Sequence, residues 1–160
     1  MLASLLLLDD YLDAQRIGFA HVVSIDTEGH DALVVRGLAR ALSAARVGVI
    51  EFEVGPNWGE VAHGSQRLLD VLAWLDQLGY GCFVATKSGC IVPTRIPDAT
   101  SPPFDRSPPS GNVVCGAPGA YVNALAQFAK RCACCMAEQL WLCEGAPLTD
   151  SRCKAQARAP

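Results

Sequence analysis

The chain has 160 residues, the length of a single domain, with 51% hydrophobic and 18% charged residues. That balance excludes a disordered chain, which is poor in apolar residues and rich in net charge. The net charge of −3 argues against a nucleic-acid or acidic-membrane binder, and the Leu5–Leu8 run, stopped by Asp9-Asp10, is too short for a membrane span and lacks the basic start of a signal peptide.

The charge is unevenly spread. Residues 1–90 hold six Lys/Arg against eleven Asp/Glu, and residues 91–160 hold seven against five. Six of the ten prolines lie between Pro93 and Pro109, and five of the eight cysteines between Cys132 and Cys153. The chain therefore reads as an ordered α/β part over residues 1–130, interrupted by a proline-rich loop, and a Cys-rich tail over 131–160. Eight cysteines without a signal peptide point to free thiols in a reducing compartment, hence a cytoplasmic location. The spacing C-x-C-C-x7-C-x9-C fits the two paired ligands of a structural zinc site poorly, so small buried hydrophobes are the plainer reading.

In chain order, Tyr11 to Arg16 reads as a short polar helix or turn. His21-Val22-Val23-Ser24-Ile25 is an apolar run rich in β-branched residues, which predicts a buried strand. Asp26-Thr27-Glu28-Gly29-His30 ends it. Asp31 to Arg46 has helical spacing, with Val34, Leu38, Leu42 and Ala45 as its apolar stripe. Val47 to Val54 predicts a second strand, carrying Glu51 and Glu53. Ser65 to Leu78 predicts a helix with Ser65 as N-cap and Gly79 as C-cap. Tyr80 to Thr86 predicts a third strand, Ile91-Val92 a short fourth, and Asn112 to Cys115 a last one. Ala120 to about Leu140 predicts a helix with Val122, Leu125, Phe128 and Cys132 inward.

The order β-α-β-α-β implies parallel strands with helical crossovers, the doubly wound α/β class. Chemistry in such sheets sits at the carboxyl ends of the strands. Asp26, Glu28, Glu51 and Glu53 all fall there. A strand ending in Asp-x-Glu-Gly has three uses for its acids. They can cap the next helix, orient a ligand hydroxyl or ammonium, or hold a hard cation such as Mg²⁺. The cap is read first for Glu28 or Asp31, whereas Asp26 closes the strand itself. Glu51 and Glu53 alternate along a strand and share a face. Two carboxylates there repel unless one is protonated, paired or metal-bound, or unless Glu53 is already past the strand and solvated. His30 has the natural pKa range of a general base, but at a helix start it also reads as a solvated residue. His21 and His63 carry no pattern. The sequence has no G-x-S-x-G, no H-E-x-x-H and no Walker-type phosphate loop.

Several blocks together resemble one family. They are Leu8-Asp9-Asp10-Tyr11-Leu12, Val23-Ser24-Ile25-Asp26-Thr27-Glu28-Gly29-His30-Asp31, Val35-Arg36-Gly37 and Val49-Ile50-Glu51-Phe52-Glu53. This pattern resembles the FkbM family of S-adenosylmethionine-dependent methyltransferases, with Leu78-Gly79-Tyr80 and Asn112-Val113-Val114-Cys115 agreeing more loosely. The likeness runs over about residues 5 to 130. It implies a partial Rossmann-like methyltransferase sheet with flanking helices. Val22–Asp26 and Val47–Glu53 would be its strands four and five, and Tyr80–Thr86 and Asn112–Cys115 its antiparallel strands six and seven. It implies methyl transfer from S-adenosyl-L-methionine to a small-molecule or glycan hydroxyl. Asp26 then takes the catalytic or substrate-orienting role, Glu28 stands second, and His30, Glu51 and Glu53 lie toward the acceptor. The glycine-rich loop that binds the cofactor in that fold has no counterpart here, so no cofactor-binding residue is assigned. The chain thus reads as the C-terminal half of such an enzyme, truncated, with its own activity open. The alternatives are a non-catalytic half-domain that binds a partner or self-associates through an exposed sheet edge, and a small Cys-rich metal module.

Overall fold

The computed structural model describes residues 6–55, 58, 67–85, 89–94 and 111–136. Its elements are α1 (Leu8–Ala14), β1 (Ala20–Ile25), α2 (Asp31–Arg36), α3 (Ala39–Ser43), β2 (Val47–Val54), α4 (Leu68–Gln77), β3 (Gly81–Ala85), β4 (Ile91–Pro93), β5 (Gly111–Gly116) and α5 (Ala120–Met136). The Ser65 cap, His63, the proline-rich loop and the cysteines beyond Met136 lie outside the described residues.

The strands form one mixed sheet in the order β1-β2-β5-β3-β4. Only β1 and β2 run parallel, and β5 enters between β2 and β3, antiparallel to both. The all-parallel expectation is corrected for the second half of the sheet, and the antiparallel strands implied by the family resemblance are present. This is the α/β arrangement of a partial Rossmann-like methyltransferase sheet.

β2 reads as it folds. From Ile50 on, its alternate residues Ile50, Phe52 and Val54 are buried, while Val49, Glu51 and Glu53 on the other face are only partly covered. The buried face packs against Val35, Leu38, Leu42, Leu72 and Leu75 of the helices. β1 departs from expectation: of its six residues only Ile25 is buried, and Val22 is 62% exposed. It is the edge strand, so a composition suited to burial is spent on one neighbour only.

The helix expected over Asp31–Arg46 is two helices, broken at Gly37-Leu38. The cause is Asp9 in α1, which is 5% exposed. Its Oδ2 accepts from the Arg40 N–H at 2.8 Å and its Oδ1 from the Ala41 N–H at 2.9 Å. These are first-turn donors of α3, which no intrahelical partner can satisfy. The Asp9 N–H donates to the Gly37 carbonyl at 2.9 Å. A remote carboxylate thus caps α3, and the chain turns between α2 and α3 instead of continuing. Around it Arg40 pairs with Asp10 and Asp13, and Arg46 with Asp13, on the exposed side. α1 itself begins at Leu8, earlier than the polar segment suggested.

α4 buries Leu68, Val71, Leu72 and Leu75 and stops at Gly79, whose φ of +82° suits glycine. The Tyr80 that follows is 1% exposed, and its hydroxyl donates to the Val47 carbonyl at 2.7 Å. Burial holds that phenol up at about 12. α5 lies across β3, β4 and β5, with Val122, Leu125, Ala126 and Ala129 on Phe83 and Ile91. Those positions follow i, i+3, i+4 and i+7, so Phe128, expected inward, points away and is 46% exposed.

Cysteine chemistry is also corrected. Cys82 on β3 and Cys115 on β5 are direct register partners and form a disulfide. For this pair the free-thiol expectation is overturned, because cross-strand adjacency is set by a pairing between residues 33 apart. No helix among the described residues is long and apolar enough to cross a membrane.

Two outcomes follow. Asp9→Ala leaves two buried N–H groups without acceptors and costs about 2–4 kcal/mol of unfolding free energy in urea titration, with Asp9→Asn losing less. Peptide mapping without reductant recovers Cys82 and Cys115 linked, and reduction lowers stability by about 3–4 kcal/mol.

Candidate active site

The carboxyl ends of the two parallel strands form the candidate site. β1 and β2 pair in register, with Ser24 opposite Glu51 and Ile25 opposite Phe52. One step further sets Asp26 opposite Glu53. In-register neighbours share a face, so Ser24, Asp26, Glu51 and Glu53 project from the same side. On the far side of β2, Asn112 of β5 is the register partner of Glu53. Its side-chain amide donates to Glu51 Oε1 at 2.5 Å. The Ser24 hydroxyl lies 3.5 Å from Glu51 Oε2. Glu51 is therefore held from both neighbouring strands, while Glu53 is left facing Asp26.

That pairing has an electrostatic consequence. Glu53 holds its proton to higher pH than an ordinary glutamate. The charge on Asp26 contributes most, followed by burial, then the charges of Glu28 and Asp31, with a hydrogen bond shared with Asp26. Glu53 lies within β2 and is only partly exposed, so the solvated position past the strand is not what forms. One strand of alternating register gives two glutamates with different work. Glu51 is a bound acceptor and Glu53 a proton-holding partner of Asp26.

The loop after β1 shapes the other wall. Glu28 and Gly29 adopt left-handed φ values of +52° and +99° in succession. For glutamate this costs on the order of 1 kcal/mol, and strain of this kind concentrates at functional loops. Asp31 braces the turn. It is fully buried, and its Oδ2 accepts from the Gly29 N–H at 3.3 Å and the Thr27 hydroxyl at 3.2 Å. Its Oδ1 has no partner among the described residues. Neither Glu28 nor Asp31 serves as a helix cap: α2 begins after His30 with no side-chain cap. The His30 ring is exposed and its Nδ1 lies 3.2 Å from the Thr27 carbonyl, so it leans on the loop's backbone.

The structure thus brings Asp26, Glu28 and Glu53 together, sets Glu51 one step back along the sheet, and turns His30 onto its own loop. Sequence reasoning missed Ser24, Asn112 and Asp31 as supporting residues. Ser24 was readable in principle from strand alternation, two residues before Asp26. Asn112 was not, since its role depends on β5 entering beside β2. Among the described residues no three His, Cys, Asp or Glu side chains converge as a metal cage.

The raised Glu53 pKa predicts a pH dependence of stability. The folded protein binds this proton more tightly than the unfolded chain, whose value is 4.5. The repulsion is therefore absent below pH 4.5 and fully felt above the folded pKa. Glu53→Gln should raise the melting temperature at pH 7–8, and the gain should vanish as pH falls below 4.5, in paired calorimetric scans.

Comparison with known proteins agrees with this geometry. No curated protein and no solved structure matches the chain. A family model does match, that of the Methyltransferase FkbM domain, over residues 4–82. The match lies in the N-terminal part of the chain and covers α1 through β2, the Asp26–Asp31 loop, α4 and the start of β3. β4, β5 and α5 fall outside it. Residues 4–82, which carry Asp26, Glu28, Glu51 and Glu53, are thus similar to the FkbM methyltransferase domain.

Proposed function

We propose that this chain supplies the acceptor side of an S-adenosylmethionine-dependent O-methyltransferase acting on a small-molecule or glycan hydroxyl. The observation that carries the reading is the Asp26–Glu53 pair at the carboxyl ends of the two parallel strands, inside the segment of the family match.

The described residues fit one side of that reaction better than the other. The acidic end of the sheet suits a hydroxyl that must give up a proton and tolerates a nearby sulfonium cation. The loop that joins β1 to α2, residues 26–30, has a single glycine and is lined by acids. It makes no seat for an adenosine, so no step is derived through the methyl donor. The donor supplies an electrophilic carbon, and the protein's part is to orient the acceptor oxygen in line with it.

In this reading Asp26 accepts the acceptor hydroxyl's hydrogen bond and then its proton as the oxygen attacks. Glu53, which keeps its proton to higher pH than a free glutamate, hydrogen-bonds Asp26 while it holds that proton and then fixes which carboxylate oxygen faces the acceptor. Glu51 stays outside the proton transfer, its oxygens directed to Asn112 and Ser24, and keeps the two strand ends in register. Glu28, in its left-handed turn, contacts a second hydroxyl of the acceptor, and His30 lies at the rim. An acceptor with neighbouring hydroxyls matches this spacing of acids.

The test is transfer of a labelled methyl group from S-adenosyl-L-methionine to a panel of hydroxyl acceptors by the full chain. Asp26→Asn should lower transfer by about 10²–10⁴-fold with an unchanged circular dichroism spectrum. Undiminished transfer in that variant would sink the reading.

A further inference from the structure

Native folds keep few buried polar atoms without a hydrogen-bond partner, because each gives up its bond to water and gains none in return. Among the described residues two side chains hold such an atom, Asp31 at Oδ1 and Trp58 at Nε1. Asp31 is fully buried and Trp58 is 9% exposed. The two atoms are opposite in kind: a carboxylate oxygen accepts and an indole N–H donates.

The fold brings both to the same end of the sheet. Asp31 opens α2, directly behind the loop that follows β1, and Trp58 stands four residues after Val54, the end of β2. β1 and β2 are parallel neighbours, so these two segments leave the sheet side by side. The Trp58 backbone N–H donates to the Gly55 carbonyl at 3.0 Å, in a turn that folds the chain back. The indole returns onto Phe52, with ring centroids 5.6 Å apart. Phe52 is the register partner of Ile25, the residue before Asp26. α2 packs on both strands, and its Ala32 and Val35 share one core cluster with Ile25, Phe52 and Trp58. The indole thus lies over the strand pair against which α2 rests.

We propose that Trp58 is a positioning residue, whose indole N–H is tied to Asp31 Oδ1 through one buried water, so that the segment after β2 holds the Asp26–Asp31 loop. The two atoms make no direct bond. A water accepts from the first and donates to the second, and two polar partners are enough to keep it. Asp31 then works with both oxygens. Its Oδ2 takes the Thr27 hydroxyl and the Gly29 N–H, and its Oδ1 faces Trp58. The left-handed pair Glu28-Gly29 is thereby braced from within its own loop and from the neighbouring strand. In the methyl-transfer reading, on which this last step alone rests, Trp58 acts through Asp31 to keep Asp26 and Glu28 in place and does not touch the acceptor.

Trp58→Phe keeps a ring on Phe52 and removes the N–H. In the full chain it should speed hydrogen exchange of the amides from Thr27 to His30 by about tenfold or more, with the β3 and β5 amides unchanged. With isotope-labelled tryptophan, the indole resonance that Trp58→Phe deletes should show magnetisation transfer to a long-lived water in the parent chain, and Asp31→Asn should move it. Both measurements are made without donor or acceptor, so they stand or fall apart from methyl transfer. In the transfer assay Trp58→Phe should lower kcat with KM little changed. Unchanged exchange in the loop, an indole resonance without a water contact, or one that Asp31→Asn leaves in place overturns the tie. A variant that raises KM alone overturns the positioning role.

Discussion

The fold turns on one carboxylate. Asp9 takes the N–H groups of Arg40 and Ala41 on its two oxygens while its own N–H reaches the Gly37 carbonyl. Three bonds from one residue hold α1 to the junction of α2 and α3. Without them a sixteen-residue amphipathic segment has no reason to stop midway. With them α2 and α3 pack as separate short helices, burying Val35 from one and Leu42 from the other. The start of α2 is placed by the same junction, and with it the Asp26–Asp31 loop that precedes it. A buried anion is tolerable because it faces helix N–H groups, where the local dipoles favour negative charge.

The acidic site needs little beyond this. Parallel pairing of β1 and β2 puts equivalent strand positions side by side, and twofold alternation puts every second residue on the same face. Asp26 and Glu53 meet by arithmetic once the register is set. What distinguishes Glu53 from Glu51 is the neighbours: a carboxylate for one, an amide and a hydroxyl for the other. The same residue type two positions apart is thereby given different partners by the strands that flank it.

Much of this was legible in the sequence. β2 follows its apolar alternation from Ile50 on, α4 ends at its glycine, and the D-x-E-G block lies at the candidate site and inside the family match. What could not be read depended on contacts between distant segments. The Asp31–Arg46 stripe is sound helical spacing, and only Asp9, some thirty residues earlier, divides it. Phe128 sits at an apolar position whose outward direction follows from where α5 lies on β3 and β4. The Cys82–Cys115 bond and the Asn112–Glu51 contact both arise from β5 threading between β2 and β3, and nothing local to those residues announces it.

The seating of α5 has a further consequence. Its first two turns rest in notches left by glycines on three different strands. Tyr121 fills the space over Gly48, and Val122 that over Gly81 and, with Leu125, Gly116. Tyr121 then extends to His21 Nδ1 at 2.7 Å and stacks beside Phe19. A hundred residues of sequence separate that tyrosine from that histidine, yet they form one contact. Shortening the chain behind β5 would spare every strand and still unroof the sheet, and the slackening would be felt at β1, the strand farthest from the cut in sequence.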